Sequence, residues 1–577
     1  MTSVSFARGL RVSTAVALRS TSIVVVGAGR PSTACGGDGG KGVDGRLAPT
    51  TTWRGNRLAA TAFATLLTLA AWNNPARATD VTMAVRTDAE SIDPHFHVYT
   101  PNSAVARHIF DGLTQVNARG KIEPDLAESW KVLADDLWEF KLRPNVTFHD
   151  GGKFTAADVV FTLQRAPHVP NSPSSYGQYT KTIESVEVID DLTIHIHTKG
   201  PAPTLPVDLS QVAIISKARA EGATTADFNS GKAAIGTGPY RFVEWVAGDH
   251  LTLARNDHYW AGPQPWAYVT RKAIPNDGSR TAALLAGDVD IIEGVPSADR
   301  ARLAGNKNIL LHECDATRII YIHLDSARDV SPGITDINGN KIDHNPLKDA
   351  RVRRAISDAI NREALTQRLL GGQAHPAGQY SPPGTPGTSP NLKPPAYDPD
   401  LAKTLLKEAG WGNGFSIILA GSNDRFPSDA QVAQAIGQML ARVGIKVEVQ
   451  TMPAAVLFSR GSKLEFSMFL SGWVGTGEAS SPMTALMATY DPKTGMGPSN
   501  RGRWSNPDFD NALGQALRTM DDAKRNALYA KAAEIAVGDM GVIPVYFTVN
   551  TWASRKGLEY TARADEISLA TDLHPAK

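Results

Sequence analysis

The chain reads as an α/β protein of more than one domain, and three observations predict this. Residues 415–449 run strand, helix, strand. Phe415, Ile417 and Leu419 hold one strand face, and Val432, Ile436, Met439, Leu440 and Val443 form a helix stripe closed by Gly444. Ile445, Val447 and Val449 alternate in the return strand. A helix between two strands implies a parallel pair with a right-handed crossover, hence an α/β lobe. Residues 137–163 repeat the mixture as strands followed by a helix. Finally, 577 residues exceed what one hydrophobic core accommodates, so two or three domains are expected.

Taken in order, Val81 to Val85 alternate as a strand and Ser103 to Phe110 form a helix. Trp138, Phe140 and Leu142 alternate with Glu139 and Lys141 as a half-buried strand. Arg143-Pro144-Asn145 turns the chain, Val146 to Phe148 is a second short strand, and His149 to Gly152 turns it again. Thr155 and Asp158 stand three apart before Val159, Val160 and Leu163, a capping-box start for a helix. Residues 181–199 read as two strands about an Asp190-Asp191 turn. His195 and His197 there sit on one strand face, as solvated bystanders or as a pair that grips a metal.

A helix ends at Gly287 before a buried strand through Ile291, and Arg318 to Asp325 is a further strand. Asn338-Gly339 is a hairpin signal. Asp336, Asn338 and Asn340 imitate the start of a calcium loop, but Lys341 replaces its glycine and Leu347 its terminal glutamate. Val352, Ile356, Ala359 and Ile360 share a helix stripe, and Asn361 caps a second helix ending at Gly371-Gly372. Eight prolines mark residues 376–399 as a loop. Asp398-Pro399 then starts a helix stopped by Gly410, and Asn506-Pro507 and Asp521 cap two more.

Hydrophobic content of 42% and charged content of 20% describe an ordinary globular protein. The net charge of +1 hides a split: residues 1–79 hold nine Lys/Arg and two Asp/Glu, leaving 50 basic against 56 acidic residues. A mildly acidic body carries no electrostatic footprint for nucleic acid. Arg54 and Arg57 precede an apolar run, Leu58 to Trp72, and Ala76-Arg77-Ala78 is a small-residue cleavage site. This is the layout of a secretory signal, with cleavage expected after Ala78. The run is short for a membrane span, which needs roughly 20 residues.

The fifty residues before it suggest an over-extended start, with initiation nearer Val43 or just before Trp53. Within them Gly27-Ala28-Gly29 lacks the third glycine of a dinucleotide site, and Gly36 to Lys41 lacks the ends of a phosphate loop. Cys35 follows Ser32 where a lipid-anchor site wants an aliphatic residue. Only Cys314 remains beyond the leader, so it forms no intramolecular disulfide or thiolate metal cluster, and a buried structural thiol is expected.

The wording of several segments resembles one family. Leu126-Ala127-Glu128-Ser129-Trp130, the Phe140-to-Arg143 strand, the Val146-to-Gly151 turn and Ala157-Asp158-Val159-Val160-Phe161 match the signature region of the family 5 solute-binding proteins. So do Ser91-Ile92-Asp93-Pro94-His95, Asp111 to Thr114, Gly236 to Tyr240, residues 256–262, 285–291 and 346–374, and Arg501 to Asp510. The resemblance spans about residues 80–577. These proteins are periplasmic or surface receptors that feed peptide, nickel and related ABC importers.

The resemblance implies a two-lobed periplasmic-binding-protein fold, type II, of the large cluster with an extra subdomain. It implies a leader over 1–78 and lobe I over 79–316 plus 545–577, with an inserted subdomain at about 113–210. Lobe II would run over 317–544, with hinge crossings near 317 and 545. Pro544 to Phe547 resembles the return strand.

The ligand-facing end of an α/β sheet is the carboxyl end of its strands. Arg425 follows the first strand of the βαβ unit, and Gly472-Trp473 follows a strand from Phe466 to Leu470. In dipeptide-binding relatives the matching arginine pairs with the ligand carboxylate, which suits a planar bidentate donor, and the tryptophan lies beside the ligand. The alternatives are an Arg425 tying down its own loop and a Trp473 filling the lobe interface.

Relatives that bind peptides carry an aspartate three residues after the tryptophan to hold the α-amine. Here Thr476, Gly477 and Glu478 stand instead, so Glu478 takes that role or the ligand has no free amine. Val98, Tyr99 and Thr100 follow the Asp93 loop and complete the candidate site. The expectation is a monomeric binding protein with no cofactor and no chemistry of its own. It would deliver a peptide or similar carboxylate-bearing solute to a permease with ATPase subunits. A nickel chelate is the alternative cargo, and an enzyme or a chemoreceptor-linked sensor the remaining readings. No nucleophile elbow, zinc-helix motif or phosphate loop of the standard kinds supports the enzyme.

Overall fold

Two unusually long strands, Ile309–Leu324 and Val542–Arg555, form the spine of the protein. The computed structural model describes residues 80–576, so the leader, its cleavage site and the motifs around Gly27, Cys35 and Lys41 lie outside the described residues. The two strands pair antiparallel from Ile309–Arg555 to Asp315–Val549, shift register to Ile319–Phe547 and Ile320–Tyr546, and shift once more to run from Tyr321–Pro544 to His323–Val542. The first shift leaves Ala316, Thr317 and Arg318 in a bulge, a device that bends a strand and re-aims its side chains.

Each end of the spine recruits its own sheet partners. On one side Arg318–Leu324 pairs with Met468–Val474, which pairs in parallel with Phe415–Ser422, which in turn pairs in parallel with Ile445–Met452. On the other side Trp552–Ser554 pairs with Ile291–Glu293, followed by Val81–Val85, Tyr268–Ala273, His250–Arg255 and Tyr240–Val246. The result is one 12-stranded sheet covered by separate hydrophobic cores. Ile319, Ile322, Leu419, Ile436 and Val545 belong to the first, and Val81, Phe110, Tyr240, Leu253 and Trp552 to the second.

A third core belongs to a separate four-stranded sheet, Ala127–Ala134, Leu137–Leu142, Thr193–Thr198 and Ile183–Asp190. Phe140, Ile194 and Ile196 are fully buried in it against Val159 and Leu163 of the helix Ala156–Arg165. That helix starts as its sequence demands: the Asp158 carboxylate accepts the Thr155 backbone N–H at 3.0 Å.

The βαβ unit over residues 415–452 forms with its helix at Asp429–Ala441. The expected caps are present. Asp398 accepts from Leu401 N–H, Asn506 from Asp508 and Phe509, and Asp521 from Lys524. Gly287 ends its helix at a φ of 83°, where only glycine is free of strain.

Several elements differ from their sequence reading. Val146 to Phe148 is a single bridge, Thr147 to Lys153, because turns on both sides consume the neighbouring backbone and His149 N–H donates to Gly236. The first helix runs Thr100–Ile109, three residues early, because Pro101 needs no helical N–H partner in the first turn. The segment after Asn361 is a π-helix, Ala364–Leu369; six residues are too few for the hydrophobic pattern to separate its wider period from an α-helix.

The Asn338-Gly339 turn closes only a two-residue strand, Thr335–Asp336, and the Asp336 carboxylate is spent on Asn338 and Asn340. The spine strands overrun their expected bounds because His312, Glu313 and Asp315 interrupt the apolar pattern while their backbones stay paired. Trp473 lies inside the strand Met468–Val474, not after it.

Cys314 is half-buried rather than fully enclosed. Burial, with Asp315 and Asp565 nearby, pushes its thiol up to about 12. Its alkylation at about pH 8 should therefore run at least tenfold slower in the native protein than in the denatured chain, as followed by intact mass. Equal rates would contradict this placement.

Candidate functional site

The loop that carries Arg425 is fixed from below. Ser422 Oγ and the backbone N–H groups of Arg425 and Phe426 all donate to the Asp429 carboxylate, at 2.7, 3.1 and 3.2 Å. Asp424 accepts from Ala454 N–H at 2.8 Å. These bonds use the loop's backbone and leave the Arg425 guanidinium uncommitted: among the described residues it has no ion pair. It lies 5.4 Å from the Phe426 ring, and the Arg318 guanidinium lies 5.1 Å from the same ring. Phe426 reaches this position because Gly472 beneath it has no side chain; a Cβ there would stand 2.9 Å from the ring and 2.7 Å from Ile320.

Arg318, aimed by the spine bulge, is paired through two nitrogens with both oxygens of Glu566. Thr317 beside it donates its N–H to Ala564 at 2.9 Å and its hydroxyl to Gly475 at 3.1 Å. Burial, the charge of Arg318 and, more weakly, Arg86 hold the Arg425 pKa below its ordinary value, against Glu566 and Tyr99. Burial likewise raises the Tyr99 hydroxyl, with Arg425 opposing it. Tyr99 is the N-cap residue of the first helix, and its ring stacks on His97 at 5.1 Å. Tyr99 and Arg425 therefore lie within electrostatic reach of one another.

The other predicted residues divide. Val98 packs against the small-sheet core and its N–H donates to Ser174 at 3.1 Å. Thr100 opens the first helix, half-buried. Trp473 donates to Ser481 Oγ at 2.9 Å and packs on the core around the βαβ unit. Thr476 is half-buried in the following turn, where Gly477 lies against Gly120 of the opposite side.

Glu478 is only 8% exposed and accepts from Ser480 Oγ. It belongs to a second group with Asp208, Tyr529 and Arg525. Burial raises its pKa, with Ser480 and Arg525 pulling back and Asp522 adding to the rise. Asp208 accepts from Thr204 Oγ1 at 3.0 Å, and burial followed by the charge of Glu478 pushes it up to about 7, against Lys181.

Sequence reasoning missed Glu566, Asp208 and Tyr529. Glu566 stands in a loop without periodicity, and Asp208 and Tyr529 look like ordinary helix residues. His195 and His197 pair with Glu139 and Glu187 at 3.2 and 3.5 Å. Among the described residues no group of three or more His, Cys, Asp or Glu is arranged to hold a metal ion. No helix among them is long and apolar enough to cross a membrane.

Residues 121–496 match the family described as bacterial extracellular solute-binding proteins, family 5 (middle). The chain is 33% identical over 480 residues to the glutathione-binding protein GsiB of Shigella dysenteriae, covering 81% of this chain and 89% of that one. It is 32% identical over 466 residues to GsiB of Pectobacterium atrosepticum, covering 79% and 86%. Among solved structures it is similar to the ABC transporter-associated periplasmic binding protein DppA from Helicobacter pylori in complex with the peptide STSA. That match has a TM-score of 0.70 at 25% identity, covering 86% of this chain and 98% of that one. Its backbone also follows NikZ from Campylobacter jejuni in complex with Ni(L-His), with a TM-score of 0.73 at 22% identity, covering 86% and 99%.

Two expectations follow from the site. Gly472→Ala should displace Phe426 and cost about 1–3 kcal/mol of stability, the ordinary penalty of overpacking, read by urea denaturation; an unchanged midpoint would contradict the packing. Asp208 and Glu478 have raised folded-state pKa values, so the folded protein binds protons more readily than the unfolded chain. The contribution of each is full below the ordinary carboxylate range and is lost as pH rises through its raised folded-state pKa, which for Asp208 is about 7. The thermal midpoint should fall over that window by a component that Asp208→Asn removes. Parallel calorimetric profiles for wild type and variant would argue against it.

Proposed function

The chain belongs to the bacterial extracellular solute-binding proteins of family 5, and we propose that it captures a peptide or similar small solute bearing a carboxylate. It is the substrate-binding component of an ABC importer. In this reading the solute is held between lobe I, residues 79–316 and 545–577 with an inserted subdomain at about 113–210, and lobe II, residues 317–544. Closure about the spine bulge would encase it for delivery to the permease and its ATPase. The chain acts as a monomer, performs no chemistry, and reaches the periplasm by a signal cleaved after Ala78.

The observation that carries this reading is the free Arg425 guanidinium. A half-buried cation with no partner among the described residues, on a loop tied rigidly to Asp429, is organised for an anion that arrives from outside. Glu478, with Asp208 from the other side, supplies the opposite pole for an amine. In this reading Tyr99, Thr100 and Thr476, with Val98 and Trp473 presented from the cores they pack on, would contact the solute between the two poles. GsiB proteins are named for binding glutathione, a tripeptide with free carboxylates and one α-amine, which makes glutathione the first solute to titrate.

The test is native mass spectrometry of the 79–577 protein purified from periplasm, followed by denaturing release of its cargo. A carboxylate-bearing solute should be released, and Arg425→Ala should weaken its rebinding by about 100-fold, the usual consequence of leaving a desolvated charge unpaired. Cargo without an acid group, or cargo retained by Arg425→Ala, would overturn the reading.

A further inference from the structure

The segment 563–566, from the last 15 residues of the chain, is bolted to the spine and to the hairpin at 114–124. Arg563 Nη2 donates to Val116 O at 2.8 Å, Ala564 N–H to Ala118 O at 2.9 Å, and Thr317 N–H to Ala564 O at 2.9 Å. Asn550 Nδ2 of the second spine strand donates to Arg563 O at 2.8 Å. Asp565 takes Arg563 at 2.7 Å and Arg107 at 3.0 Å. Glu566, the next residue, has a φ of 64°. A left-handed backbone at a non-glycine residue costs about 1–2 kcal/mol and persists only where the surroundings over-determine it. Glycine would remove that cost and would also remove the carboxylate.

That carboxylate is placed between two guanidiniums. It holds Arg318 through both oxygens, with the Arg318 side chain 5% exposed, and it lies within Coulombic reach of Arg425. The remaining nearby cation, Arg86, is paired with Asp277 at 3.0 Å. Two arginines on one phenyl ring would otherwise make a site for a doubly charged anion. With Glu566 present, one positive charge is left over.

We propose that Glu566 sets the charge specificity of this pole: by occupying Arg318 it leaves Arg425 as the single free guanidinium, so the cleft accepts a singly charged anionic group and disfavours a dianion. This rests on the reading of Arg425 as the anion anchor. A carboxylate finds one matching cation, whereas the second charge of a dianion meets the Glu566 carboxylate at short range in a poorly screened site.

The test uses inorganic sulfate as the dianion and nitrate as the monoanion, titrated at matched ionic strength into ligand-stripped 79–577 protein. Binding is read by thermal shift, with the Glu566→Gln/Arg425→Ala double variant as the non-specific background. Glu566→Gln should raise the sulfate-to-nitrate affinity ratio by about tenfold. Glu566→Gly keeps the positive φ without strain, so it should fold even if Glu566→Gln does not, and should give the same shift. A changed thermal midpoint with an unchanged ratio would mean that Glu566 is only structural, and would overturn the proposal. Loss of cargo in Arg425→Ala with an unchanged ratio in the Glu566 variants sinks this inference alone. Retention of cargo in Arg425→Ala sinks the anchor reading beneath it.

Discussion

The antiparallel pairing of Ile309–Leu324 with Val542–Arg555 is the constraint on which the rest depends. A continuous ladder would make one stiff sheet with no reason to close over a solute. The register shift at Ala316–Arg318 interrupts it at the point where sheet partners change from one lobe's strands to the other's. The Thr317 backbone freed there does not go unsatisfied, since its N–H donates to Ala564 O and its carbonyl accepts from Gly475 N–H. This irregularity thus anchors the C-terminal segment and sets Arg318 against Glu566, and in the proposed reading it is also where the lobes would bend.

What surrounds that point is a set of charges held by fixed acceptors. Asp429 uses its oxygens on the Ser422 hydroxyl and the backbone N–H groups of Arg425 and Phe426, so Arg425 is positioned by its main chain while its side chain stays free. Glu566 does the reverse to Arg318, engaging the Nε and Nη2 donors of its side chain with both carboxylate oxygens. Two arginines of the same chemistry therefore have different availability, and the difference comes from which part of each residue its carboxylate neighbour engages. Electrostatic complementarity of this kind selects among partners more than it adds raw affinity.

Much of the fold was legible in the sequence because its signals are local. The βαβ unit announced itself through period and glycine placement, and Asp398, Asn506 and Asp521 through their offset from the helices they cap. Arg425 was legible by position, at the carboxyl end of a strand. Glu566 and Asp208 were not, because each acts on a residue more than two hundred positions away, and nothing in their own neighbourhood marks them. The bulge was equally hidden, since a register shift belongs to two strands at once. Trp473 shows a subtler limit. Gly472 reads as a strand end, yet the strand continues through it, and the glycine is needed because Phe426 and Ile320 fill the space a side chain would take.

In the proposed reading Glu478 takes over the amine-binding role that relatives binding peptides give to an aspartate three residues after the tryptophan. A carboxylate two residues further along than the usual aspartate points into the protein, toward Ser480, and shares its surroundings with Asp208 of the opposite side. Burial, more than mutual repulsion, raises both carboxyls, with Arg525 near Glu478 and Lys181 near Asp208 already opposing the rise, and a proton or an amine would relieve what remains. A ligand amine would then contribute twice, by its own hydrogen bonds and by discharging the repulsion between the lobes. Closure and amine binding would become one event. At the opposite pole Glu566 has already cancelled the extra charge before any ligand arrives. In the proposed reading the cleft would have one pole whose extra charge is cancelled in advance and one that is completed by the ligand, which would favour a solute whose carboxylate docks at Arg425 and whose amine joins Glu478 and Asp208.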